Sequence, residues 1–107
     1  MGLSTHVLDQ VTGAPVAGLS VILECGNGRV YRAVTNDDGR CTDLLEGAPL
    51  EHDTYTLRFD VGTYFAASST ETFYQEIPIQ FVITDTQRHY HVPLLLSPFG
   101  YATYRGS

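Results

Sequence analysis

Three of the four histidines in this chain stand in runs with the alternation typical of β-strands. His6 lies in LSTHVLD and shares one predicted strand face with Ser4 and Leu8, because side chains alternate between the two faces of a strand. His89 and His91 lie in RHYHVP, two positions apart, and so point the same way. Imidazole changes charge near neutral pH and can activate water or protonate a leaving group. A single strand histidine is more often structural or solvent-facing, so each is a weak signal alone.

Two histidines on one strand face could also bind a metal ion. No Cys, Asp or Glu near them completes a closed site, so we expect neither a metal nor a cofactor. Cys25 and Cys41 lack the paired spacing of a zinc site or a disulfide scaffold. We expect both to be small, buried or half-buried residues. His52, in the turn-like LEHDTY, is predicted to lie on the surface.

Arg40 and the last residues of the chain are the other candidates for a functional site. Arg40 follows NDDG, where Gly39 is predicted to take the left-handed turn conformation and direct the next side chain out of a hairpin. A guanidinium keeps its charge and can stabilise an oxyanion, although an arginine after a turn is more often simply solvated. The ending YATYRGS reads as a strand with Tyr104 on one face and Arg105 and Ser107 on the other. Arg105 could equally be an edge charge that prevents aggregation.

The elements that would position these residues are short strands separated by turns. The predicted strands are LSTHVLD, LSVILEC, VYRAV, YTLRFDV, IQFVIT and HYHVPLLLS. Between them lie TGAPVAG, GNG, NDDG, EGAP and SPFG, which supply turn residues. SSTETFYQE is predicted to be a brief helix with Glu71 in its first turn and Phe73 and Tyr74 fixing it to the sheet. This pattern is typical of a sandwich or barrel.

Composition limits the class of protein. The 107 residues are 43% apolar and 17% charged, which predicts one globular domain over residues 1–107. A net charge of −6 with no lysine argues against a nucleic-acid partner. No apolar run approaches the length of a membrane span, and no signal sequence opens the chain, so we expect a soluble protein without a membrane partner. The expected compartment is the cytoplasm, or the periplasm or peroxisome if a leader was removed.

The combination of motifs is more specific than its members. LSTHVLDQVTGAPVAGLSVIL, NDDGR, FYQEIPIQF and HYHVPLLLSPFGYATYRGS together resemble the 5-hydroxyisourate hydrolases, the transthyretin-related enzymes of urate breakdown, over essentially the whole chain. The terminal YRGS separates these enzymes from transthyretin, the hormone carrier with the same fold. The resemblance implies an all-β, transthyretin-like sandwich of two four-stranded sheets with one short helix. It also implies a homotetramer, a dimer of dimers whose active sites lie at the dimer–dimer interface.

Carried over residue by residue, the resemblance implies a hydrolytic site for a small oxidised purine. The implied catalytic residues are His6, Arg40, His91 and Ser107, and the implied substrate-binding residues are Pro93, Tyr104, Arg105 and Gly106. One histidine would activate water while the other orients or protonates, and which one is the base stays open. Arg40 would stabilise the oxyanion, and Ser107 would position substrate or a histidine through its hydroxyl or its carboxylate. Pro93 and Tyr104 would close the channel floor.

Two other classes of function compete with the hydrolase. A small-ligand carrier on the same fold would need a deep apolar channel rather than converging cations. A structural or adhesion sandwich would leave its histidines scattered. Convergence of His6, Arg40, His91 and Ser107 in one cleft distinguishes the hydrolase from both.

Overall fold

Eight strands and one short helix form over residues 2–106, which a computed structural model describes. The strands are β1 Leu3–Asp9, β2 Ser20–Cys25, β3 Val30–Val34, β4 Arg40–Cys41, β5 Asp53–Phe59, β6 Ile77–Ile83, β7 Tyr90–Ser97 and β8 Gly100–Thr103, and the helix is α1 Val61–Ala67. They make two four-stranded sheets, ordered β4-β1-β7-β8 and β3-β2-β5-β6. The predicted all-β sandwich of two four-stranded sheets with one short helix is therefore confirmed.

The two sheets enclose the core between their inner faces. In β1 the inner face carries Leu3, Thr5 and Val7, all fully buried, because alternate residues of a strand share a face. Thr5 is tolerated there because its hydroxyl donates a 2.6 Å hydrogen bond to the Val92 carbonyl of β7. The outer face of β1 carries Ser4, His6 and Leu8, as alternation in the sequence predicts. β1 thus has one fully buried face and one face whose His6 and Leu8 are half-buried.

The helix lies directly before the segment predicted to form it, so the predicted helix position is wrong. The Asp60 carboxylate caps α1 by accepting from the Thr63 N–H, and Ser68 ends the helix by donating to the Phe65 carbonyl. Ser69 then takes a left-handed conformation with φ of 55°. The helix is held to the core by its own buried residues, Val61, Gly62 and Phe65.

The segment predicted as a helix, residues 68–76, is a turn followed by irregular chain between α1 and β6. Glu71 is exposed and is in no helical turn. Phe73 is 76% exposed and does not fix the helix to the sheet. Tyr74 packs edge-on against Tyr101, with ring centroids 5.2 Å apart. The prediction that Phe73 and Tyr74 fix a helix to the sheet is therefore wrong.

The two cysteines and His52 have the burial that the sequence predicts. Cys41 is buried, Cys25 is half-buried, and both are free thiols, as predicted. Burial raises the pKa of both thiols. His52 is exposed, as predicted. Across residues 2–106, none of the helical structure is long and apolar enough to pass through a bilayer.

Candidate active site

The central strand β1 brings three of the predicted site residues into one row. His6 pairs with Arg40 of β4 on one side and with Pro93 of β7 on the other. Directly paired residues share a sheet face, and in antiparallel pairs their Cβ atoms are about 5 Å apart. Ser4 pairs with His91 in the adjacent row of the same face. The outer face therefore carries Arg40, His6 and His91 together.

A tight turn positions Arg40 beside His6. Gly39 has φ of 74°, the predicted left-handed conformation, and a Cβ there would lie 2.5 Å from the Val7 carbonyl oxygen. The Asn36 side-chain oxygen accepts from the Arg40 N–H at 3.0 Å, and the Gly39 carbonyl accepts from the Val7 N–H at 2.8 Å. The first bond closes the turn, and the second joins the turn to β1. The Arg40 side chain itself is exposed and open to a ligand.

His91 is held on two sides. Its Nδ1 lies 2.8 Å from the Ser4 hydroxyl oxygen. On the other side the Gly106 N–H donates a 2.8 Å bond to the His91 carbonyl, and a Cβ on Gly106 would lie 2.7 Å from the ring carbon Cδ2. The backbone of the C-terminal segment therefore packs directly against the imidazole. The ring has Nε2 as its remaining polar atom.

The pKa of His91 is lowered below the ordinary value of an imidazole. Partial burial is the main cause, because it disfavours the charged ring. Electrostatic interactions with Arg40, His6 and His89 lower it further. His91 is therefore neutral near pH 7, with a lone pair available to accept a proton.

The C-terminal segment reaches His91 by continuing the β7–β8 pairing past a gap. Leu94 pairs with Thr103, and the same register resumes three residues on, where His91 pairs with Gly106. Proline has no N–H to donate, which accounts for the break opposite Pro93. The Thr103 hydroxyl bridges the gap with a 2.7 Å bond to the Pro93 carbonyl. Pro93 thus shapes this part of the sheet and is itself buried.

Two of the predicted substrate-binding residues, Tyr104 and Arg105, line a groove and are not part of the row formed by His6, Arg40 and Pro93. Tyr104 is 58% exposed and Arg105 is exposed, and both line a groove of about 250 Å³ that also includes Phe81 and Tyr90. This groove opens between β6 and the β7–β8 edge. Ser107 lies outside the described residues. The structure brings together His6, Arg40, His91, Pro93 and Gly106 around one sheet face.

A sequence profile described as the HIUase/Transthyretin family matches residues 3–106. This chain belongs to that family. It is 45% identical over 109 residues to the 5-hydroxyisourate hydrolase of Salmonella dublin, covering 98% of this chain and 80% of the relative. The solved 5-hydroxyisourate hydrolase of Klebsiella pneumoniae superposes with a TM-score of 0.91 at 39% identity, over 100% of both chains. Sea bream transthyretin in complex with thyroxine superposes with a TM-score of 0.86 at 25% identity, over 99% of this chain and 95% of that one.

Membership of the HIUase/Transthyretin family confirms the resemblance recognised in the motifs, and the structural matches confirm the transthyretin-like fold. The fold is common to the Klebsiella hydrolase and the sea bream thyroxine complex, so it does not choose between hydrolysis and carriage. The choice between hydrolysis and carriage therefore depends on the polar groups of the outer sheet face.

Two polar residues of this face were not predicted as site residues. Ser4 and His89 join His91 in a hydrogen-bonded cluster, with the Ser4 Oγ 2.8 Å from His89 Nε2. Strand alternation already put Ser4 on the face of His6 and put His89 on the face of His91. The register between β1 and β7, which pairs Ser4 with His91, could not be predicted from the sequence. Among residues 2–106, no group of three His, Cys, Asp or Glu side chains is arranged to hold a metal ion.

Gly106 offers a test of the contact with His91 in this family member. We expect Gly106→Ala to lower the rate of hydrolysis at this candidate site by about tenfold to a hundredfold, because the new Cβ must displace either the imidazole or the C-terminal segment. Steady-state rates and melting temperature would be measured together. Gly100→Ala is the matched control, since its Cβ would meet only the Ser97 hydroxyl at an ordinary 3.6 Å. Equal rates in the two variants would contradict this role for Gly106.

Proposed function

We propose that this chain hydrolyses 5-hydroxyisourate to 2-oxo-4-hydroxy-4-carboxy-5-ureidoimidazoline in urate degradation. The observation that carries the proposal is the row that places Arg40 beside His6, with His91 in the next row of the same face. The relatives in Salmonella dublin and Klebsiella pneumoniae are named for this activity. A carrier channel for an apolar hormone would not favour two imidazoles and a guanidinium on its wall.

His91 is the proposed general base. Its Nδ1 is occupied by Ser4, so Nε2 is the atom that can take a proton from water. The lowered pKa keeps the ring neutral near pH 7, so that one ring nitrogen can accept a proton. The resulting hydroxide adds to the ring amide carbonyl of the substrate. The proposal therefore assigns the role of base to His91 rather than to His6.

Arg40 and His6 complete the proposed reaction. Addition of water leaves a negative charge on the former carbonyl oxygen, and the Arg40 guanidinium stabilises that charge. The C–N bond then breaks, and the departing nitrogen takes a proton from the imidazole of His6 or from the protonated His91. Ser107, next to the tethered Gly106, is proposed to position the substrate through its hydroxyl. Pro93, Tyr104 and Arg105 are proposed to bound the substrate pocket.

Assembly into a homotetramer is the second part of the proposal. Arg40 is exposed and His6 and His91 are half-buried, so one subunit leaves these groups open to water. Covering the face with another subunit would exclude bulk water and strengthen the electrostatic interactions within the site. We propose a dimer of dimers with the sites at the dimer–dimer interface. Sedimentation equilibrium at micromolar concentration should give four times the mass of the chain, and a monomer would contradict the proposal.

An ultraviolet assay tests the proposed activity. 5-Hydroxyisourate is generated freshly from urate, and its disappearance is followed with and without the protein. The expected result is decay many times faster than the spontaneous reaction, at a rate proportional to protein concentration. Decay at the spontaneous rate in the presence of folded protein would overturn the proposal.

The pH dependence of kcat/KM should reflect the lowered pKa of His91. Because the neutral ring is the active form, activity should persist below the ordinary imidazole pKa of about 6.5 and fall only as His91 becomes protonated at lower pH. The stability of the fold should also decrease as pH falls through this range. The reason is that the unfolded chain binds a proton at this ring more readily than the folded chain does. Initial rates across the acid range would measure the limb. An acid limb above pH 6.5 would contradict the assignment of His91.

A further inference from the structure

Ser4 links two imidazole rings that have different access to solvent. Its Oγ lies 2.8 Å from His91 Nδ1 and 2.8 Å from His89 Nε2. Ser4 is buried, His91 is half-buried and His89 is exposed. The three side chains therefore form a hydrogen-bonded chain from the proposed site to the surface.

The single hydrogen of a hydroxyl group limits how this chain can be arranged. Ser4 has one hydrogen and two lone pairs, so it can donate to one ring nitrogen and accept from the other, or accept from both, in which case His91 also donates from Nδ1. In one direction His91 donates from Nδ1 to Ser4, and Ser4 donates to His89. In the opposite direction His89 donates to Ser4, and Ser4 donates to His91 Nδ1. The first leaves His91 Nε2 without a proton, and the second requires a proton on Nε2.

Only the first direction is compatible with both charge states of His91. When Nε2 takes a proton, the ring carries protons on both nitrogens and must donate from Nδ1. The first direction already has that donor in place, so no hydrogen bond has to reverse during the reaction. In the second direction Nε2 is already protonated and cannot act as a base. An arrangement that needs no rearrangement as charge develops is a preorganised one.

We propose that Ser4 and His89 are positioning residues that hold neutral His91 with its proton on Nδ1, so that Nε2 faces the reacting water. The role in turnover rests on the proposed function, whereas the tautomer is a property of the folded protein. The charged or titratable neighbours are Arg40 on β4, His6 on β1 and His89 directly before β7. The C-terminal segment meets the ring through Gly106, which has no side chain.

The tautomer can be measured without any assay of hydrolysis. Long-range ¹H–¹⁵N correlation spectra of the labelled protein above pH 7 report which nitrogen of each ring carries the proton. In the wild type we expect a proton on His91 Nδ1. Ser4→Ala and His89→Phe should both shift His91 toward the Nε2–H form, which a free imidazole side chain favours in water. Exposed His52 is the internal control. A wild-type His91 protonated on Nε2 would overturn the proposal.

Kinetics give the second readout. Ser4→Ala should lower kcat by about tenfold to a hundredfold with little change in KM, because ground-state binding does not need the tautomer. Loss of the acceptor Oγ also removes a bond that favours the charged ring, so the acid limb should move to lower pH. Ser4→Thr, which keeps the hydroxyl, should recover most of the loss. Wild-type kcat in a folded Ser4→Ala protein would overturn the proposal, as would a Ser4→Thr protein no better than Ser4→Ala.

The two proposals fail in different ways. If the wild type does not hydrolyse 5-hydroxyisourate, the proposed function is wrong while the spectra still test the Ser4 arrangement. If the wild type is active but its His91 carries the proton on Nε2, the hydrolase stands and the positioning role is wrong. Melting temperatures of all variants exclude loss of fold as the cause.

Discussion

Replacing His91 with alanine is expected to lower kcat/KM for 5-hydroxyisourate by at least about a hundredfold, because loss of a general base commonly costs this much. The fold should survive, since the ring is only half-buried and lies on the outer face of β7. The ultraviolet assay gives the rate and thermal melting gives the stability. The acid limb that reports His91 should also disappear from the remaining activity.

His52→Ala is the matched control for this variant. It removes the same side chain from an exposed position outside both sheets, and its kcat/KM should equal that of the wild type. Near-normal turnover in a folded His91→Ala protein would refute the assignment of this residue as the base, and His6 would become the remaining candidate.

Removal of the Arg40 guanidinium should have an effect of similar size. We expect Arg40→Ala to lower kcat by about a hundredfold to a thousandfold, as for other groups that stabilise an oxyanion. Arg40→Lys should recover only part of the rate, because an ammonium keeps the charge but lacks the planar pair of donors. Removing this positive charge should also raise the pKa of His91 and move the acid limb to higher pH. Steady-state kinetics across the pH range would measure both effects.

Arg32→Ala serves as the control for charge. Arg32 is exposed, as Arg40 is, but lies on β3 of the other sheet. Its removal changes the net charge equally and should leave kcat and the acid limb unchanged. If Arg32→Ala lowered the rate as much as Arg40→Ala, long-range charge rather than contact with the substrate would explain the loss.

The strands were predictable where alternation and turn residues agreed. LSTHVLD matches β1 at Leu3–Asp9, and the left-handed turn at Gly39 follows from NDDG. The strand predicted as YTLRFDV instead ends at Phe59, because Asp60 caps a helix whose first residue is Val61. Alternation alone could not show that a capping contact would outweigh two further residues of strand.

The residues of the candidate site could be predicted from the sequence, but the contacts between them could not. The motifs named His6, Arg40 and His91, and alternation correctly placed His6 on the strand face of Ser4 and Leu8. The contact between Ser4 and His91 depends on a parallel register between β1 and β7, and no local pattern encodes a register between distant strands. The packing of Gly106 on the His91 ring was unreadable for the same reason.

The parallel pairing of β1 with β7 has a consequence for folding kinetics. Ser4 and His91 are 87 residues apart, so their contact must close a long loop of the chain. Closing so large a loop costs entropy before any contact compensates for it, and such non-local pairing is intrinsically slow. A partly folded chain can hold the β2–β5–β6 sheet yet have no aligned base. Recovery of enzymatic activity during refolding would therefore mark the last long-range pairing, rather than the earlier collapse of the core.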